Sequence, residues 1–176
     1  MSQVGLDIVN ENKMNWLQSM DLSFIFNLLI FLYMNTKGII MRALDQFRLK
    51  TCMDFKTFPN GQVVSIGQNC YIIAIVEHEL LHALGFWHEQ SRYDRDEYVT
   101  IVYENILEGY QNNFNKYSEN DTTTLGTPYD CYSVMHYSKD AFTNGNGSTI
   151  ITKQPEFQDV FGQWLKISSN DVLKLN

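Results

Sequence analysis

The residues that could do chemistry are concentrated between Val76 and Glu97, VEHELLHALGFWHEQSRYDRDE. The run contains His78, Glu79, His82, Gly85 and His88, spaced as H-E-x-x-H-x-x-G-x-x-H. On a helix, residues four apart share a face, so His78 and His82 can grip one ion together. Glu79 sits one step round the helix, close to such an ion but not aimed at it. Gly85 adopts positive φ at little cost and can end the helix, letting the chain turn back and deliver His88. Three imidazoles on one ion leave a fourth position open, which is the pattern of a catalytic zinc site rather than a closed structural one. A bare H-E-x-x-H arises readily among surface residues. The added glycine and third histidine make chance a poor account of this run. The chain has four histidines; three are in this motif, and the fourth, His136, is in SVMHY (Ser133–Tyr137).

These ligands need a scaffold. Tyr71 to Leu84 reads as the helix that carries His78 and His82, apolar on the face away from them. Thr36 to Leu49 reads as a second amphipathic helix, with Ile39, Ile40, Ala43, Leu44 and Phe47 at helical spacing. YVTIVY, from Tyr98, predicts a short strand, followed by a helical or turn segment to Phe114. Ser118 to Thr127 is a polar loop. Arg92, Asp94, Arg95 and Asp96 predict a salt-linked turn that orients the ligand loop.

At 176 residues the chain suits one domain with a real core. Its hydrophobic content of 44% and charged content of 19% are those of an ordinary globular protein. A net charge of −7 argues against nucleic acid, which needs a basic footprint. Leu22 to Met34, LSFIFNLLIFLYM, is too short to span a membrane, so membrane attachment has no support here. It reads equally as the apolar part of a signal peptide or as a buried strand or helix. Two sequons, Asn120-Asp-Thr and Asn146-Gly-Ser, are in keeping with secretion. The three cysteines, Cys52, Cys70 and Cys131, cannot all pair within one chain.

The run HELLHALGFWHEQSRYDRD resembles the astacin family of metzincin zinc endopeptidases, and within it the meprins. SVMHY resembles the family's Met-turn. The likeness continues through Met34–Phe55, Pro128–Phe142 and Phe157–Asn176. It implies an α+β, metzincin-like, two-lobed domain. Such a domain has a small twisted sheet, long helices, an active helix at the cleft and a mostly irregular C-terminal lobe. Residues 34–176 would form this peptidase domain, and 1–33 a poorly matching N-terminal segment. The implied activity is zinc-dependent hydrolysis of peptide bonds in protein or peptide substrates, in a secreted or extracellular setting. One Zn²⁺ would be held by His78, His82 and His88. Glu79 would be the general base and acid, and Tyr137 would donate a hydrogen bond to the oxyanion. In the family the tyrosine matching Tyr137 is also a fifth zinc ligand that swings away when substrate binds. Met135 would form an apolar floor under the imidazoles, and Glu89 would contact the N-terminus of the mature enzyme.

Departures from the family pattern also carry expectations. Phe55–Cys70, FKTFPNGQVVSIGQNC, runs almost directly to the active helix, where the family has roughly twenty more residues, among them the strand that lines the cleft. That stretch also holds the family partner of Cys70. By the resemblance, Cys52 matches a cysteine whose partner lies beyond Asn176; a Cys70–Cys131 or a Cys52–Cys70 pair is open to the sequence. No F-x-G-D latch is present. Trp164 stands where meprins carry an arginine, which argues against a strong acidic preference on the primed side. The final DVLKLN resembles the family's closing helix. The alternatives to an active protease are a relative that binds zinc without cleaving, because part of the domain is missing, and an incomplete gene model of an active enzyme.

Overall fold

The computed structural model describes residues 34–52 and 72–176, together with the strand pair Ile25–Phe26 and Lys56–Thr57. The chain divides into two compact units. One is Met1–Gly85 with Trp164–Lys166 and Leu175–Asn176; the other is Phe86–Gln163 with Ile167–Lys174.

In the first unit, β1 (Ile25–Phe26) pairs in parallel with β2 (Lys56–Thr57). The apolar run around Leu22–Met34 thus contains a strand. Its signal-peptide reading and the shortened Phe55–Cys70 stretch lie, apart from these two strands, outside the described residues. The first helix, α1 (Met34–Lys50), buries Ile39, Ile40, Ala43 and Phe47, the stripe expected from their spacing, with Leu44 half-buried at its margin. It packs against α2 (Ile73–Ala83), whose Ala74, Val76, Leu80 and Leu81 are buried. Behind α1 the Cys52 amide donates to the Asn176 side chain (3.0 Å). Cys52 is exposed and Cys131 buried, and both are free thiols, so neither pairing left open by the sequence is made.

The second unit contains little regular structure. Strands β3 (Val99–Ile101) and β4 (Ile150–Thr152) form an antiparallel pair, Val99 opposite Thr152 and Ile101 opposite Ile150. The expected strand YVTIVY is therefore shorter than its apolar run. The Val102 amide still bonds Thr149 (2.9 Å), but Tyr103–Asn105 then coils into a single 3₁₀ turn. Its core joins Val99, Ile106, Phe114, Tyr129, Cys131, Ile150 and Phe161. The unit closes with α3 (Ser169–Leu175), the helix expected at the end of the chain. These elements agree with the expected α+β class and its mostly irregular C-terminal part.

Gly162 is held in the left-handed region (φ 78°), and a Cβ there would lie 2.3 Å from the Ser138 Cα. Backbone cannot retreat as a flexible side chain can. Gly162→Ala is expected to cost about 2–4 kcal/mol, from left-handed strain plus overpacking. Gly145→Ala, at φ 95° with open space around it, should cost only about 1–2 kcal/mol of strain. Denaturant midpoints of the two variants measure the difference, and equal midpoints would show that Ser138 yields.

Candidate metal centre

Helix α2 begins after Ile72 and ends at the Leu84–Gly85 turn, where the Gly85 amide bonds the His82 carbonyl (2.9 Å) and Gly85 takes φ 94°. The glycine acts here as the spacing predicts: a β-carbon at that φ would be strained. On α2 the His78 and His82 rings meet edge to face, centroids 4.6 Å apart. One donor atom from each of His78, His82 and His88 lies within 4.8 Å of the other two, and all three residues are half-buried. A tetrahedral zinc with nitrogen ligands needs N···N separations of roughly 3.3 Å, and three donors within 4.8 Å of one another approach that spacing. The residues present therefore fit a zinc ion. Glu79 is half-buried, and desolvation raises its pKa to about 7. A dication nearby would pull it back down.

His88 opens a loop secured from several sides. The Glu89 amide donates to the Met135 carbonyl (3.0 Å), joining the loop directly to the SVMHY turn. Met135 is buried. The Tyr137 ring lies 4.5 Å from the His88 ring at 53° and meets Phe114 edge to face. Tyr137 thus stands beside the third histidine of the motif.

The acidic and basic residues after His88 form the expected salt-linked turn. Arg92 binds Asp94 through both carboxylate oxygens (2.8 and 2.7 Å), reaches Glu89 (3.1 Å), and donates to the carbonyls of Thr127 and Pro128. Arg95 is buried and caps the carbonyls of Gln90 and Phe114, which a surface turn would not require. Among the described residues Glu89 bonds Arg92 (3.1 Å), the Asp130 amide (2.9 Å) and Lys174 (2.7 Å). Burial lifts its pKa above the usual carboxylate value, against the pull of Lys174 and Arg92.

One supporting residue escaped the sequence reading. Asp171, fully buried on α3, accepts from the Ser133 hydroxyl (2.6 Å), the Val134 amide (3.1 Å) and the Ser168 amide (3.1 Å). The Ser168 hydroxyl accepts from the Asp171 amide in return (2.9 Å). This reciprocal pair is a capping box, and Ser168-x-x-Asp171 before Val172 and Leu173 is its legible signature. Ser133 passes the support on, accepting from the Met135 amide (3.0 Å). The closing helix therefore holds the Met135 turn through Asp171 and the His88 loop through Lys174.

Comparison with known proteins places this arrangement. The profile of the Astacin peptidase family matches residues 58–176. Meprin A subunit beta of Rattus norvegicus is 50% identical over 168 residues, 82% of this chain and 24% of that protein. Zinc metalloproteinase nas-13 of Caenorhabditis elegans is 40% identical over 166 residues, 80% of this chain and 36% of that protein. Among solved structures, high choriolytic enzyme 1, a hatching enzyme zinc-protease from Oryzias latipes, superposes with a TM-score of 0.79 at 32% identity, covering 88% of this chain and 87% of that one. Three converging histidines, on a fold shared with a hatching-enzyme zinc-protease, place the chain in the zinc peptidase class. The chain belongs to the astacin family of zinc metalloendopeptidases. It spans about a quarter of the length of the meprin it matches. Among the described residues no helix is long and apolar enough to cross a membrane.

Proposed function

We propose that this chain is a zinc-dependent endopeptidase that hydrolyses internal peptide bonds of extended protein substrates. His78, His82 and His88 hold the ion, Glu79 moves the protons and Tyr137 steadies the oxyanion. The observation that carries this reading is the convergence of the three imidazole donors within 4.8 Å, with Glu79 next to the first. Zinc, when bound, acidifies water and polarises the scissile carbonyl as a Lewis acid. Glu79 takes the proton from the attacking water and later passes it to the leaving amine. The Tyr137 phenol donates its O–H to the carbonyl oxygen as negative charge gathers there. The whole chain 34–176 serves as one peptidase domain. Secretion fits it best, given the family and the two exposed sequons at Asn120 and Asn146.

The test is zinc content and peptide cleavage measured on one sample. The purified chain is expected to hold one zinc and to cut members of a quenched fluorescent peptide library. A chelator removes both, and added zinc restores both. His88→Ala should lose the metal without unfolding α2. Cleavage that survives complete chelation, or a zinc-loaded chain that cuts no peptide, would overturn the proposal.

A further inference from the structure

We propose that His136 is a positioning residue for Tyr137, locking the backbone that aims the phenol beside His88; the inference rests on the oxyanion role proposed above. His136 is buried, and both of its ring nitrogens are engaged. Nδ1 lies 2.7 Å from the Tyr137 carbonyl oxygen, which can only accept, so Nδ1 carries the hydrogen. That leaves Nε2 as the acceptor, and the Tyr129 hydroxyl donates to it at 2.7 Å. The tautomer is therefore set by its two partners. Phe161 stacks on the imidazole at 4.7 Å, and Tyr129 is itself stacked on Tyr98 at 4.7 Å. The whole chain of contacts is thus immobilised by core packing.

On the other side of the same residue, the Tyr137 amide donates to Gln90 Oε1 (3.1 Å). Gln90 is fully buried and stands two residues after His88. The two peptide groups flanking Tyr137 are pinned from opposite sides, so the direction of its Cα–Cβ bond is set. The ring keeps only its own side-chain torsions, against His88, Phe114 and Phe142. A histidine that merely filled the core would need neither a defined tautomer nor a bond to this carbonyl. Oxyanion donors act only within a few tenths of an ångström of their target, and misplacement by about 1 Å costs on the order of 100-fold in rate.

The two isosteric variants separate the bonds. The His136→Asn amide nitrogen can stand in for Nδ1–H and keep the bond to the Tyr137 carbonyl. The His136→Gln side chain reaches toward Tyr129 and loses that bond. With the zinc-loaded chain and a quenched fluorescent peptide, His136→Gln is expected to lower kcat about 10–100-fold with KM within about 3-fold. His136→Asn should stay within about 5-fold of the parent. Tyr129→Phe, which removes one hydroxyl and little volume, should cost a smaller share of kcat. It serves if the histidine variants do not fold. In the Tyr137→Phe background, none of the three should lower kcat further, because nothing remains to be aimed. Equal losses in both backgrounds, or equal losses from the Gln and Asn variants, would overturn the positioning role while leaving Tyr137 in place. If Tyr137→Phe by itself leaves kcat unchanged, the oxyanion role fails first, and the positioning role with it.

Discussion

Asp171→Ala is expected to lower the unfolding free energy by about 2–4 kcal/mol, from buried donors left without an acceptor and a lost helix cap. The side chain has no exposure, and its two oxygens take three hydrogen bonds, from Ser133, Val134 and Ser168. Alanine leaves a hydroxyl and two amides facing a cavity that none of them can fill. Each such orphan costs about 1–3 kcal/mol, and the capping box that starts α3 is lost as well. Relief from burying a carboxylate offsets part of this total. Against a whole-domain margin of about 5–15 kcal/mol, the loss is large enough to unfold a measurable fraction at body temperature. Asp159 provides the contrast. It pairs with Lys139 at 2.5 Å but is 81% exposed, so Asp159→Ala should change stability by under about 1 kcal/mol. Urea denaturation of both variants decides the matter. Similar midpoints for the two would mean that Asp171 is not the brace described above.

Glu79→Gln should reduce kcat by about 100- to 10,000-fold, the span that general acid–base groups contribute, with zinc content unchanged. Glutamine keeps the volume and one acceptor oxygen but cannot take a proton. The substitution therefore removes the chemistry and leaves α2 and its histidines alone. Zinc content must be read on the same preparation, because metal loss would imitate the kinetic result. A variant that retains its zinc and more than about a tenth of the parent rate would exclude Glu79 as the proton carrier. The roughly 100° step between neighbouring residues on a helix gives the reason for expecting otherwise. It turns Glu79 aside from the face that His78 shares with His82, which suits a base acting on water better than a ligand.

Much of this was legible before any coordinate. Ile39, Ile40, Ala43 and Phe47 are buried on α1 because a helix puts residues three and four apart on one face, whatever surrounds it. Gly85 ends α2 for a reason just as local. The Ser168-x-x-Asp171 box was equally readable as a pattern, though nothing in it says that the same carboxylate also serves a turn 38 residues earlier. Strand β4 was not foreseen. Its Ile150–Thr152 segment is three residues long, and only the β3 partner gives it a register. Arg95 read as one member of a salt-linked turn. Its burial under the carbonyls of Gln90 and Phe114 depends on where Phe114 returns in the fold.

The sequence by itself determined the donor set, because His78, His82 and His88 lie within eleven residues of one another and a helix with one turn is enough to gather them. It also determined the family, through motifs that are contiguous runs. Only the tertiary structure decided what holds the third histidine and the tyrosine in place. Glu89 meets Lys174 across 85 residues, Tyr137 meets Gln90 across 47, and Ser133 meets Asp171 across 38. The physical reason is the range of the forces that write each feature. Helical periodicity and glycine turns act between near neighbours and leave a regular trace in the chain. A buried carboxylate or a clamped peptide is satisfied by whichever donor the packed fold brings within about 3 Å, and no spacing along the sequence records which one that will be.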